Sequence, residues 1–508
     1  MTTHTDFPQS ARTLLPEEFR SLPQHPHLSA EALEVAASLQ HDTISRKVLD
    51  GSTRLYDALV VVGSGFAAFV ISQGALVPDT NTLFALAAAP LMALVLFQIA
   101  DLYQPTIMRR GLEQVMRAAV SWALVFAGLF ALALLVVPAD KIPVDLLSKW
   151  FVIGLAGLIA GRVVLRLLVG RWMREGRLNR RAVLIGGGNA AAELIAELER
   201  HAHNDIDICG IFDDRNNDRS PPSVAGYPKL GTVSDLVEFA RIAHIDMLLV
   251  TIPMRAEQRI LELMRKLWVL PVDIRLSAHA DKLQFRNRAS SFVGTVPFVD
   301  VAQKPITDWD TILKRIFDLT FAVIALLCLS PIMIVTAIAI RLDSPGPILF
   351  RQKRYGFNNE LIEVFKFRSM YTDQTDTNAS KLVTKNDSRV TKIGRFIRKT
   401  SIDELPQLFN VLSGSLSLVG PRPHALSAQA DNKLYEQVVD GYFARHKVKP
   451  GVTGWAQING WRGETDTAEK IQKRVEHDIY YIENWSVLFD LYILFRTPIS
   501  LLNTENAY

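Results

Sequence analysis

Twenty consecutive uncharged residues, Ala118 to Val137, constrain this chain more than any other feature. As a helix the run is long enough to cross a hydrocarbon layer of about 30 Å. Three more apolar stretches lie close by, at about 55–77, 83–100 and 147–169; the second, Leu83 to Ile99, is short and carries Pro90. Together they predict four transmembrane helices over residues 51–170. The connection between the second and third spans carries Arg109, Arg110 and Arg117, and the fourth runs into Arg162, Arg166, Arg171, Arg174, Arg177, Arg180 and Arg181. The opposite loops hold only Lys141 and Lys149. Basic flanks stay in the cytoplasm, so the N-terminus and everything after residue 170 are expected to face inward.

A chain of 508 residues is too long for one ordinary domain, and three units are expected. Residues 1–50 are polar with scattered prolines and no apolar leader core, which reads as a mobile cytosolic tail. A formal charge of +4 is too small to point to nucleic acid as a partner. The two cysteines, Cys209 and Cys328, lie far apart, and a disulfide framework is not expected.

Over 180–300 the pattern becomes α/β. The stretch RRAVLIGGGNAAAELIAELERH reads as strand, glycine turn and helix, with Gly186, Gly188 and Ala191 fitting G-x-G-x-x-A. A second strand, DICGIFDD, ends in Asp213-Asp214, where a dinucleotide fold places its ribose carboxylate. IDMLLVTIP, 245–253, is a further buried strand. A Rossmann-like domain is therefore expected, with Gly186, Gly188 and Asp213 as candidate nucleotide contacts. Glycines in this pattern also serve tight strand–helix packing, so a bound ligand is not required. No Tyr-x-x-x-Lys pair occurs in the chain, which leaves a short-chain dehydrogenase relay without a candidate.

From Leu319 to Ile340 run 22 uncharged residues, interrupted by Ser330-Pro331. Proline removes a helical hydrogen bond and crowds the preceding turn. Basic residues flank both ends: Lys314 and Arg315 before, Arg341, Arg351, Lys353 and Arg354 after. A single crossing would carry the second cluster outside, against the charge bias. A helix–break–helix at about 315–341, entering and leaving on the cytosolic face, satisfies both facts, and Ser330 is placed to bond the carbonyl that Pro331 leaves free.

Downstream, Arg389, Lys392, Arg395 and Arg398 recur every three residues opposite Val390, Ile393, Phe396 and Ile397, a basic amphipathic pattern suited to an anionic membrane surface. The C-terminal WSVLFDLYILFRTPISLL is similarly suited to an interface. Between them lies SIDELPQLFNVLSGSLSLVGPRP, residues 401–423. Ser401-x-x-Glu404 matches a helix capping box. Pro406 is better accommodated if Asp403 is the cap, because proline is tolerated only in the first helical turn. A helix N-terminus together with Arg398 and Lys399 would depress the pKa of Asp403 and keep it ionised. An ionised aspartate among arginines suits covalent phosphoryl transfer, and a neighbouring glutamate suits Mg²⁺. Residue chemistry alone leaves capping and catalysis equally open.

KRIFD before the Ser-Pro-broken apolar helix, then DSPGPILFRQKRYG, FKFRSM, VTKIGRFIRKTSIDELPQLFNVLSGSLSLVGPRP and KPGVTGWAQING resemble the bacterial polyprenyl-phosphate hexose-1-phosphate transferases. Four spans and a Rossmann-like middle domain resemble the long members of that family, the undecaprenyl-phosphate glucose phosphotransferases of exopolysaccharide synthesis. The resemblance implies a polytopic α-helical membrane protein with a Rossmann-like α/β middle domain and, over 310–508, an α-rich, membrane-associated catalytic domain with a re-entrant helix broken at Ser330 and Pro331. It implies transfer of hexose-1-phosphate from UDP-hexose to undecaprenyl phosphate at the cytosolic face of the bacterial inner membrane, with UMP released. Asp403 would be the nucleophile and Glu404 the Mg²⁺ ligand. Arg398, Lys366, Arg368 and Arg422 would line the phosphate-handling site. Membrane lipids are implied partners, and a homodimer is compatible. The alternatives are a galactose-1-phosphate transferase of the same family and a membrane-bound nucleotide-sugar dehydratase or epimerase.

Overall fold

The computed structural model describes residues 28–502 apart from 40–42, 105–107, 109–110, 137, 139–141, 201–205, 216–219, 254–255, 278–290, 294–295, 373–386, 425–428, 431–432, 435–438, 440–441 and 462–466. The topological charges Arg109, Arg110 and Lys141 and most of the N-terminal tail lie outside the described residues.

The four apolar stretches form helices Arg46–Gln73, Thr80–Ile99, Gly111–Val136 and Val144–Arg174, the second with Pro90 inside it. Their core is aromatic. Phe126 meets Trp122, Trp150 and Phe151 edge-on, and the indole N–H groups of Trp122 and Trp150 donate to Phe151 O and Val61 O, each at 3.0 Å. Leu83, Phe84, Leu91, Val95, Leu135 and Val152 are exposed, a surface that only lipid covers cheaply. Arg162 corrects one sequence expectation. It is no loop charge but lies inside the bundle, 2.8 Å from Asp57, which also accepts from Tyr103. Its charge is spent on helix packing and says nothing of orientation.

Residues 180–302 build an eight-stranded sheet in the order Ser223–Val224, Tyr227–Gly231, Ile206–Phe212, Arg180–Ile185, Met247–Val250, Asp273–Ser277, Val296–Ala302, Ser291–Val293. The five inner strands, from Tyr227–Gly231 to Asp273–Ser277, pair in parallel, and antiparallel partners finish both edges. The strand Met247–Val250 is buried throughout, as a sheet covered on both faces requires. Part of the expected tail joins this domain. Helix Ala30–Ser38 buries Ala32 and Ala36 in the sheet's core, and Ser29 Oγ donates to Leu230 O at 3.1 Å. A polar average over residues 1–50 hides this short apolar face.

The second long apolar run lies within one helix, Asp308–Asp343, which stays helical through Pro331. The expected break is not an interruption of the helix. Ser330 Oγ donates at 3.0 Å to Leu327 O, the carbonyl four residues before the proline that lacks its usual donor. The rest of the C-terminal region packs along this helix. Phe317 and Ala322 share a core with Val364, Leu408 and Val411; Met333 and Ile340 share another with Phe367 and Ile397. Arg315 donates to Val411 O and Leu412 O near one end, and Arg368 donates to Ile340 O and Ser344 O at the other. One side is left bare, with Leu327, Ile334, Val335, Ile338 and Leu342 exposed.

A buried ion cluster ties the start of this helix to the C-terminal helix Val487–Leu502. Lys314 Nζ lies 2.7 Å from Asp490 and 3.2 Å from Asp318, and donates to Val419 O at 3.0 Å. Tyr481 Oη, Trp485 Nε1, Ser417 Oγ and Leu418 N complete the coordination of the two carboxylates. Replacing Lys314 by methionine strands both carboxylates in the core. A loss of about 3–5 kcal/mol of stability is expected, read as a lowered midpoint of thermal unfolding in detergent.

Candidate active site

The site is built where a turn, a strand and a proline-bounded loop meet. Helix Lys392–Lys399 begins at Thr391, whose side chain accepts from Gly394 N. It ends before Ser401, which adopts a left-handed conformation at φ 59°, uncommon for a residue with a Cβ. The chain then makes one 3₁₀ turn, Ile402–Glu404, before helix Gln407–Ser413, with Pro406 at its N-cap. Asp403 is therefore not the cap, and the capping box does not form: Ser401 makes no side-chain cap bond, and the Glu404 carboxylate points elsewhere. Pro406 sits where the helix asks nothing of its missing N–H, which is why the sequence tolerates it.

Strand Leu361–Phe367 brings Lys366 to this turn. Asn410 fastens the two together, accepting from Phe365 N at 2.9 Å and donating to Glu363 O at 2.7 Å. Lys366 Nζ then meets Glu404 Oε1 at 2.8 Å. Arg422 arrives from the loop after strand Ser417–Val419 and makes a two-pronged pair with the same carboxylate, at 2.5 and 3.1 Å. Its position is imposed from behind. The fully buried Arg445 donates to Arg422 O at 2.7 Å, pairs with Asp478 at 2.6 Å and contacts the His424 ring. Arg354 donates to Pro423 O.

Two glycines let this loop approach strand Gly451–Thr453. A Cβ on Gly451 would stand 2.1 Å from Gly420 N, and one on Gly420 would stand 2.5 Å from Lys449 O. Both contacts are with backbone, so no side chain can swing away to relieve them.

The two carboxylates of one turn are thus treated differently. Burial would raise the pKa of Glu404, but Arg422 and Lys366 hold it well below the ordinary range. Asp403 is half-buried and, among the described residues, its carboxylate makes no hydrogen bond or ion pair. Burial, with the Glu404 charge adding to it, pushes its pKa up to about 6 against the pull of Lys366, Arg398 and Arg422. The expectation of a depressed value is overturned, because desolvation outweighs the cations and no helix N-terminus is formed there. Asp403 is still mostly ionised at neutral pH, with a more basic oxygen than an ordinary aspartate.

The structure brings Asp403, Glu404, Lys366 and Arg422 together, with Arg398 near enough to act on Asp403. Arg368 is not among them. Its guanidinium donates to Ile340 O, Ser344 O, Ser344 Oγ, Pro345 O and Thr372 Oγ1, capping the end of the long helix. Arg445, His424 and Asp478 were missed, and Arg354 was read only as a flanking charge, since in sequence they look like any exposed charged residues. Within helix Lys392–Lys399, Ile397 is buried but Phe396 is 60% exposed, so one apolar residue is offered outward beside the basic stripe.

Gly186 and Gly188, both with positive φ, and Asp213 line a separate cleft of about 920 Å³ in the middle domain. Asp213 is not held out for a ribose: it accepts from Gly187 N at 2.7 Å and from Arg215. The catalytic region rests on this domain, Asn358 donating to Ala240 O at 2.8 Å and Lys447 lying over the Trp268 ring.

Comparison with family profiles matches residues 309–504 to the bacterial sugar transferases and residues 98–278 to a family described as a CoA-binding domain. UDP-glucose:undecaprenyl-phosphate glucose-1-phosphate transferase of Xanthomonas campestris pv. campestris is 33% identical over 464 residues, 90% of this chain and 94% of that protein. The chain belongs to the bacterial sugar transferase family. It is accordingly a phosphotransferase. The Escherichia coli protein of the same name is 39% identical over 71% of this chain and 75% of its own length. A UDP-N-acetylgalactosamine-undecaprenyl-phosphate N-acetylgalactosaminephosphotransferase of Aeromonas hydrophila is 41% identical, over 38% of this chain and 45% of its own.

Gly451→Ala should cost about 1–3 kcal/mol through overpacking. It should also loosen the Gly420–Pro423 loop, read by hydrogen exchange as faster exchange at Gly420 and Gly451 than elsewhere in the domain.

Proposed function

We propose that the protein transfers hexose-1-phosphate, glucose-1-phosphate by preference, from UDP-hexose to undecaprenyl phosphate, the first membrane step of exopolysaccharide or capsule synthesis. The observation that carries this reading is Asp403 itself: a carboxylate with no hydrogen-bonded partner among the described residues, beside a glutamate already neutralised by two cations. An Asp403 oxygen attacks the phosphorus bonded to the sugar, and the bond to the UMP oxygen breaks. UMP leaves with the electron pair. An oxygen of the lipid phosphate then attacks the same phosphorus, and the carboxylate is expelled unchanged.

Lys366, Arg398 and Arg422 would offset the charge of the transferring phosphates, Lys366 and Arg422 from positions where they also pair with Glu404. Glu404 presents hard carboxylate oxygens, donors that fit magnesium, which commonly takes one or two carboxylates along with substrate phosphates. When bound, the ion would supply further neutralisation of phosphate charge. Among the described residues no group of three acidic, histidine or cysteine side chains stands ready to hold a metal alone.

A lipid phosphate stays at headgroup depth, so its partner site must lie there too. Contacts across the long helix support re-entry rather than a fifth crossing. Asn358, after the helix, bonds Ala240, before it, a contact that favours both ends lying in one compartment. Helix Ala30–Ser38 rests on the middle domain, which likewise favours an even number of crossings in between. The inward orientation of that compartment follows the charge of the described flanks, Arg166, Arg171, Arg174 and Arg177. Preference for glucose is supported by relatives covering most of the chain, whereas the N-acetylgalactosamine relative covers 38% of it.

Asp403→Asn should lower transfer from radiolabelled UDP-glucose to lipid by about a thousandfold or more in membranes; near-normal activity would refute the nucleophile. A panel of UDP-sugars, scored by UMP release, tests the glucose preference. The rate should follow ionisation of Asp403, full above neutrality and half-maximal near pH 6. Because Lys366 lowers the Asp403 pKa, Lys366→Met should move this acid limb to higher pH as well as slow the reaction.

A further inference from the structure

Arg422 reaches Glu404 from a loop that two other arginines hold from behind. Arg445 donates to Arg422 O at 2.7 Å, and Arg354 donates to the next carbonyl, Pro423 O. Each of these arginines lies on an element whose outer side is fastened to the middle domain.

Arg354 belongs to strand Leu349–Tyr355, which pairs with Leu361–Phe367 as a hairpin. At the tip, Asn358 and Asn359 are consecutive left-handed residues, at φ 52° and 60°, a conformation asparagine tolerates better than most. The tip sets Asn358 Nδ2 2.8 Å from Ala240 O. Ala240 lies in the last turn of helix Val233–Ile242, where carbonyls run out of helical donors. His244 N, four residues on, donates to Leu39 O instead, and Asn358 supplies the missing donor. Asn359 bonds His446, which ties the hairpin tip to the second element.

That element is the 3₁₀ turn Tyr442–Lys447, which carries Arg445. The fully buried Arg445 side chain points into the catalytic core, to Arg422 O and Asp478. Its neighbours meet the middle domain. The Arg241 guanidinium stands 5.6 Å from the Phe443 ring centre, and Lys447 Nζ stands 4.2 Å from that of Trp268. Six residues are too few to absorb a shift on one side without moving the other. Two short routes therefore run from the middle domain to the reacting carboxylates, and both end at the loop carrying Arg422.

We propose that Trp268 and Asn358 are positioning residues for the transfer reaction: the middle domain grips the turn and the hairpin tip, and so sets where Arg422 stands beside Glu404. The proposal rests on the transferase reading of Asp403 and Glu404, and hydrogen exchange tests the relay without it. Arg422 holds the Glu404 carboxylate at 2.5 and 3.1 Å, so a displacement of about 1 Å is enough to slow the reaction.

The test uses the full-length protein in nanodiscs, with UMP release from UDP-glucose and undecaprenyl phosphate as the rate. Trp268→Leu removes an aromatic face from a half-exposed side chain. Asn358→Gly removes the bond to Ala240 and accepts the left-handed backbone. Each should lower kcat about threefold to tenfold. Trp268→Phe, which keeps a ring for Lys447, should restore the rate. In an Arg422→Lys background both changes should cost less than about twofold, since the group they position is already gone. Exchange at Gly451, whose N–H donates to Pro421 O at 2.9 Å, should quicken in Trp268→Leu and Asn358→Gly but not in Trp268→Phe. Unchanged exchange at Gly451, an equal proportional loss of rate with and without Arg422→Lys, or no restoration by Trp268→Phe would each overturn the proposal. A parent protein that releases no UMP would sink the transferase reading alone, and the relay would then stand or fall on exchange at Gly451.

Discussion

Two adjacent carboxylates on one short turn repel, and the site exists because that repulsion is resolved unequally. Lys366 and Arg422 close on Glu404 and fix its charge, and Asp403 is left with burial, a neighbouring negative charge and, among the described residues, no hydrogen-bonded partner. A buried anion next to a compensated one is more basic than an ordinary aspartate yet ionised at neutral pH, the compromise a carboxylate nucleophile needs. Were the cations to pair with Asp403 instead, its carboxylate oxygens would be the ones occupied and Glu404 would be left uncompensated.

Most of the remaining architecture delivers those two cations. Lys366 depends on Asn410 clamping its strand to helix Gln407–Ser413. Arg422 depends on a loop pinned at Val419 O by Lys314 and at its own carbonyl by Arg445. Lys314 belongs to the long apolar helix, so that helix also supports the loop that carries Arg422. Removal of any of these buried charges leaves its partners unpaired, which makes the scaffold cooperative rather than a sum of independent contacts.

Hydrophobic length made the four long apolar helices legible, because a bilayer imposes its thickness on any chain that crosses it. The glycine turn and the buried strand Met247–Val250 were legible for a similar local reason: turn geometry and continuous apolar runs are written in neighbouring residues. Docking of helix Ala30–Ser38 on the sheet was not, since its apolar face is two alanines and two leucines in a polar stretch. Arg162 and Arg368 were misassigned on the same ground. An arginine near a membrane or in a motif looks alike whether it binds Asp57, caps a helix or meets a phosphate.

By itself, then, the sequence determined the succession of apolar, α/β and transferase regions and singled out Asp403 and Glu404 as the candidate pair, because length, periodicity and motif order are one-dimensional properties. Only the tertiary structure decided which of Asp403 and Glu404 is neutralised, that Asp403 is raised toward 6 rather than depressed, and that Asp213 is spent on its own backbone. Those outcomes depend on desolvation and on charges brought together from positions as distant as 366, 404 and 422. Neither can be read from neighbours along the chain.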